Sequence, residues 1–259
     1  MCDNNKSFKF GLRKSSFDDT TEQKLCFSYN PNIVLPKKYS LWDKVKYIWD
    51  QGSINSCSAN AVSNQLILSD KKQVMKFVPS RLYIYYNSRM MDNEDVSKPV
   101  SDNGASLKSV YKGILNYNVI SEDTYPYDTS KVNDVPSPEI YKEAMFKNMN
   151  PIFSYRRLHP CLYSFKYVIS QLELPILFGM AVYSNFMQLS KDNDLLDRAN
   201  SEFLGLHGVL MIGYNDEDQS VTVVNSHGEN FGNNGTFRMS YNYLMDEKLS
   251  FEHWIINSE

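Results

Sequence analysis

This chain is poor in the residues that build metal sites, disulfide frameworks and membrane spans. Its 259 residues include four cysteines, Cys2, Cys26, Cys57 and Cys161, whose wide, uneven spacing fits neither a zinc pattern nor a dense disulfide framework. Reduced thiols in a reducing compartment are the default expectation. Pairing of Cys2 and Cys26 with each other or with Cys161 is the alternative outside a cell. Cys161 stands near His159 but has no further ligand at metal spacing. No apolar run approaches the roughly 18 residues that span a bilayer. The opening MCDNNKSFKFGLRKSS lacks the apolar core of a secretory leader. A net charge of −3 supplies no basic field for nucleic acid. Internal repeats and low-complexity tracts are absent as well. GENFGNNG lacks the spacing of a phosphate loop, and DNDLLDRANSE lacks the glycine and closing glutamate of a calcium loop.

What is present is a globular composition, 42% hydrophobic and 22% charged, long enough for one large domain or two small ones. Residues 1–35 are polar and poorly patterned and read as an arm or short pro-segment. From Cys57 the pattern turns helical, with Ala59, Val62 and Leu66 on one apolar face and Ser53, Asn55 or Ser56 as the cap. SRLYIYYNSRMM after Pro79 predicts a second helix. GASLKSVYKGILNYN predicts a third, burying Leu107, Val110, Ile114 and Leu115. Three prolines then break the pattern in YPYDTSKVNDVPSPE. FSYRRLH reads as extended and LYSFKYVISQLEL as a short helix. PILFGMAVY, GVLMIGY, SVTVVN and GTFRMS read as strands. A helical half followed by a β half predicts an α+β fold with a helical part over 36–150, a β-rich part over 151–259 and a cleft between them.

Two apolar runs flank NDEDQ in LHGVLMIGYNDEDQSVTVVNSHG, the pattern of an antiparallel hairpin. A turn centred on residue 216 makes His207 and Asn225 neighbours at one end. The asparagine amide then accepts from one imidazole nitrogen and leaves the other free to act as a base. Cys57 lies at the start of a helix, where unsatisfied N–H groups and the positive dipole end favour a thiolate. Gln51, on the preceding turn, supplies an amide donor for an oxyanion, with the Cys57 backbone N–H as the second.

These residues resemble the papain-like, cathepsin-type cysteine peptidases. QGSINSCSAN, Gln51 to Asn60, is similar to that family's Q-G-x-C-G-S-C-W-A-F. LHGVLMIGY, from Leu206, is similar to N-H-A-V-x-x-V-G-Y, and NSHGENFGNNGT, from Asn225, to N-S-W-G-x-x-W-G-x-x-G-Y. The order Gln, Cys, His, Asn is the family's, and the likeness runs from about Leu35 to the C-terminus. The resemblance implies a two-subdomain fold, helical on the left and β-rich and barrel-like on the right. It implies Cys57 as nucleophile, His207 as base, Asn225 as orienter, and Gln51 with the Cys57 N–H as the oxyanion hole.

It further implies polypeptide substrates, no metal or organic cofactor, and no membrane or nucleic-acid partner. Residues 1–35 would be an autoinhibitory arm crossing or flanking the cleft. Endopeptidase action is the default, and a cytoplasmic or virion-associated location is expected. The Asn, Lys, Ile and Tyr content suits an AT-rich genome such as that of a giant virus. Four positions depart from the family pattern, Phe231 among them in place of a second tryptophan. Ile54 stands where many members carry a disulfide cysteine, Ser58 where an aromatic follows the nucleophile, and His227 where a tryptophan shields the Asn–His hydrogen bond. A binding protein without catalysis, an exopeptidase and a transamidase are the alternative readings.

Overall fold

A computed structural model describes residues 8–16, 24–73, 75–93, 97–146, 154–199 and 202–257. Helix α1 runs over Cys57–Ser69, α2 over Arg81–Asp92, α3 over Leu107–Tyr117, α4 over Pro138–Phe146, α5 over Leu162–Ser170 and α6 over Tyr241–Met245. Ser80 opens α2 and Ser106 opens α3, each accepting a backbone N–H three residues on through its hydroxyl. In α3, Leu107, Val110 and Ile114 are buried as the periodicity requires, but Leu115 is 40% exposed. It falls one step round the helix from Ile114, on the flank of the buried face. Pro138 occupies the first position of α4, where a missing N–H costs nothing, so the third proline starts a helix.

Helix α1 is buried nearly all round, although its sequence suggests one apolar face. Its polar side chains brace the surrounding elements. Gln65 donates to the Trp254 carbonyl at 2.9 Å and accepts from the Tyr111 hydroxyl at 2.6 Å. Asn64 donates to the Tyr47 carbonyl at 3.1 Å. Each buried amide thus exchanges water for a protein partner, which removes most of the cost of burial.

The strands are β1 (Leu12–Arg13), β2 (Lys38–Ser40), β3 (Ala105–Ser106), β4 (Ser154–Arg157), β5 (Ile176–Tyr183), β6 (Leu195–Leu196), β7 (Phe203–Asn215), β8 (Ser220–Val224), β9 (Thr236–Ser240) and β10 (Ser250–Asn257). One sheet has the order β4-β10-β5-β7-β8-β9-β6, with β2 also paired to β7. Its two ends do not meet, so the β-rich part is an open, mostly antiparallel sheet and not a closed barrel. β5 is buried along almost its whole length, as its unbroken apolar run requires. α1 lies against β7, and Gly208 permits it: a Cβ there would stand 3.3 Å from the Ser58 Cα. The residues flanking that contact are Cys57 and His207.

The arm joins this frame as an extended strand. β1 pairs in parallel with β3, and Gly11 forms a parallel bridge to Leu206. At Gly104, with φ +82°, a Cβ would fall 1.5 Å from the Gly11 carbonyl oxygen. Only glycine lets the arm backbone pass there.

Candidate active site

Cys57 is the first residue of α1 and is fully buried. Ser56 is the N-cap, yet its hydroxyl does not cap the helix. It meets the Tyr127 hydroxyl and accepts from the Asn60 amide instead. No acidic side chain occupies the first turn either, so the positive end of the helix is left without a side-chain anion beside the thiol. The turn before it is braced from below. The Arg81 guanidinium lies between the rings of Trp49 and Tyr127, 4.1 and 4.0 Å from their centroids, and pairs with Glu122 at 2.7 Å. The Tyr127 hydroxyl donates to the Gln51 carbonyl at 2.9 Å. None of these braces has a sequence signature, because each joins segments distant along the chain.

The hairpin brings His207 and Asn225 together: the imidazole Nε2 donates to Asn225 Oδ1 at 2.7 Å. The register differs from a turn centred on residue 216. Leu210 faces Val224 and Met211 faces Val223, with a bulge before Gly213. Extending that register sets Asn225 opposite Val209 and position 227 opposite His207. His207 and Asn225 therefore meet as diagonal neighbours on one face. The Ser226 backbone N–H also donates to Asn225 Oδ1 at 2.8 Å, while Asn225 Nδ2 donates to His227 Nδ1 at 3.0 Å. With both ends of the amide assigned, the His207 proton belongs on Nε2 and Nδ1 carries the lone pair. Nδ1 has no hydrogen-bond partner among the described residues.

Gln51 is fully buried and its amide is also oriented. Oε1 accepts from the Ser226 hydroxyl at 2.7 Å, and Nε2 donates to the Ile54 carbonyl at 2.9 Å. The same Nε2 donates at 3.1 Å to the carbonyl oxygen of Lys9, in the arm. An arm carbonyl thus sits where Gln51 would polarise one. Phe10 lies edge-on to His207 at 5.4 Å, and Phe8 packs on His227 at 4.4 Å. Further along, Ser15 donates its N–H and hydroxyl to the two oxygens of Glu252 at 2.9 and 2.5 Å. Leu12 is buried against Gly179 and Phe251.

Burial decides the electrostatics, with the arm as part of the cover. Burial pushes the Cys57 thiol up to about 11, partly opposed by the backbone amides of Gly208 and Gly11. Burial pulls His207 down to about 4, partly opposed by the bond to Asn225. Under the arm, both groups are neutral near pH 7. His253 is a structural histidine by contrast, buried between Phe165 and Phe178 and joined to the Ser250 hydroxyl at 2.9 Å.

The four residues singled out from the sequence, Gln51, Cys57, His207 and Asn225, meet at one place. Ser226, His227 and the arm segment from Phe8 to Leu12 complete the surroundings. Of these, the sequence flagged His227, as a departure from the family motif, and the arm only in outline, as residues 1–35 crossing or flanking the cleft. Cys26, Cys57 and Cys161 are free thiols, and Cys2 lies outside the described residues. Among the described residues, no group of three or more His, Cys, Asp or Glu is placed to hold a metal ion, and no helix is long and apolar enough to cross a membrane.

Helices packed on an open antiparallel sheet, with the thiol-bearing helix against the histidine strand, form the fold of the papain-like cysteine peptidases. The sequence profile of the papain family cysteine proteases matches residues 35–252. The peptidase C1-like protein L477 of Acanthamoeba polyphaga mimivirus is 33% identical over 221 residues, 80% of this chain and 68% of that protein. Xylellain, a cysteine protease from Xylella fastidiosa, has the same fold with a TM-score of 0.79 at 27% identity, over 96% of both chains. Digestive procathepsin L 3 of the Tenebrio molitor larval midgut shares the fold at a TM-score of 0.65 and 17% identity, over 91% of this chain and 74% of that one. This chain belongs to the papain family of cysteine proteases and is a hydrolase.

Proposed function

We propose that the protein is a cysteine endopeptidase whose catalytic residues are Cys57, His207 and Asn225, and that residues 1–35 hold it inactive. The observation that carries this reading is the oriented His207–Asn225 pair beside the thiol at the N-terminus of α1. Once the arm leaves, water and substrate enter. The desolvation that keeps thiol and imidazole neutral falls away, and the proton moves from Cys57 to His207. The thiolate attacks a peptide carbonyl, and Gln51 Nε2 with the Cys57 N–H holds the oxyanion. His207 returns the proton to the leaving amine, giving a thioester. Water, activated by His207, then hydrolyses it. Asn225 keeps the ring turned throughout.

The arm's path supports inhibition. It places its own backbone on Gln51, Gly104 and Leu206, the surfaces a substrate strand would need. The procathepsin neighbours are compatible with an N-terminal segment of this kind. An epoxide-type, mechanism-based cysteine-peptidase inhibitor tests the reading, with labelling located by intact mass and peptide mapping. Full-length protein, protein lacking residues 1–35, and the His207→Ala variant are compared. Labelling confined to Cys57, faster without the arm and lost in His207→Ala, is expected. Labelling of Cys57 no faster than that of Cys26 or Cys161 in both forms would overturn it.

A further inference from the structure

We propose that His227 is a positioning residue of this site, acting as a neutral imidazole that accepts from Asn225 and so holds its amide oxygen toward His207. The inference rests on the peptidase reading above. Its basis is the chain of contacts across three side chains. Asn225 Nδ2 can only donate, so at 3.0 Å from His227 Nδ1 it needs a lone pair there. That contact and the Ser226 N–H on Oδ1 each disfavour the flipped amide, which would turn an NH2 toward the Ser226 N–H and His207 Nε2–H. A tryptophan at this position would cover the pair but present carbon where Nδ1 stands, and could not accept.

The placement of the ring suits this role. The hairpin register sets position 227 opposite His207, and the two imidazoles stack at 4.9 Å with 13° between their planes. Phe186 and Phe231 enclose His227 from the sheet side, at 6.3 and 5.4 Å, and remain when the arm withdraws Phe8 and Phe10. The backbone is pinned by a bridge to Asp50 and by the Gly228 N–H on the Trp49 carbonyl at 2.9 Å. His207 is stacked on the ring, and Asp50, bridged to position 227 through the backbone, accepts from the Gly52 N–H at 2.9 Å.

Protonation of His227 has two effects of the same sign. It replaces the Nδ1 lone pair with a donor aimed at a donor. It also sets a second positive charge on the face of His207, which must itself carry one in the thiolate–imidazolium pair. Neutral His227 therefore supports the active pair and charged His227 opposes it. Activity falls at acid pH through two protonations, one on the catalytic pair and one on His227.

The test uses the full-length chain and the rate of Cys57 labelling by the epoxide inhibitor from pH 4 to 9. The maximal labelling rate is separated from the half-saturating inhibitor concentration, and folding is checked by thermal melting. His227→Phe keeps the aromatic cover and removes the acceptor. It is expected to lower the maximal rate at pH 7 about tenfold with half-saturation changed less than twofold, and to leave a single acid protonation. His227→Asn, whose Oδ1 takes the place of Nδ1, should recover the rate to within about threefold of the wild type. A His227→Phe variant with the wild-type rate and acid limb overturns the proposal. If that variant does not fold, a wild-type acid limb with one protonation overturns it. Absence of Cys57 labelling both in the full-length chain and in protein lacking residues 1–35 would sink the peptidase reading and this inference with it. Labelling that is insensitive to His227 sinks the inference alone.

Discussion

Replacing Leu12 by alanine weakens the arm without altering any of the residues proposed for catalysis. Leu12 is buried among Gly179, Phe251 and Ala105, and β1 pairs with β3 through it. Truncating a buried leucine costs about 2–5 kcal/mol in a rigid core. A short strand at the cleft can partly close the gap, so the low end, about 2–3 kcal/mol, applies. The arm and the body are one chain, so this energy shifts an intramolecular equilibrium directly. At about 1.4 kcal/mol per decade, the open fraction rises about 30- to 140-fold. While the arm is mostly docked, the labelling rate of Cys57 is proportional to that fraction. Leu12→Ala should therefore raise the second-order labelling constant by about 30-fold or more, toward that of protein lacking residues 1–35. Peptide mapping would show Cys26 and Cys161 labelled as in the wild type, which separates arm release from general loosening. A change of less than twofold at Cys57 would refute the idea that docking of residues 8–16 gates the thiol.

Three further outcomes follow from the same geometry. Glu252→Gln keeps the size of the side chain but weakens both bonds from Ser15; hydrogen bonds to charged groups contribute about 1.5–3 kcal/mol each when buried, so labelling of Cys57 in the full-length chain should rise about tenfold, and an unchanged rate would count against this latch. Under the arm the buried thiol, pushed up to about 11, holds almost no thiolate at pH 7, so alkylation of Cys57 by iodoacetamide at that pH should be at least about tenfold slower in the full-length protein than in protein lacking residues 1–35; equal rates would refute the desolvation argument. Gln51→Ala in protein lacking the arm should lower kcat on a fluorogenic peptide by about 10²–10³, the loss typical of one oxyanion donor, with KM little altered; a loss under fivefold would remove Gln51 from that role.

The helices around the thiol were legible because their periodicity is local: Cys57 with Ala59, Val62 and Leu66, and Leu107 with Val110 and Ile114, repeat at helical spacing whatever packs on them. The hairpin was legible for a similar reason, since two apolar runs about a polar loop can pair in few ways. Several elements were not, β10 and α4 among them. β10 lies between β4 and β5, one strand in from the edge, but SFEHWII mixes a buried glutamate and histidine into its apolar run and bulges between Phe251 and Trp254. Helix α4 was hidden by its own first-turn proline.

The sequence by itself determined the identities and order of Gln51, Cys57, His207 and Asn225, the residues proposed for catalysis, because the motifs around them are contiguous. Tertiary structure alone decided where the arm goes, what His227 contacts and how the thiol ionises. Residues 8–16 carry no strong pattern, and their course is set by a glycine-lined channel whose walls lie about 90 to 200 residues away. The His227 bond depends on a hairpin register shifted by a bulge, which apolar alternation cannot report. A side-chain pKa follows from the water removed around it, and burial exists only once distant segments have closed over the group.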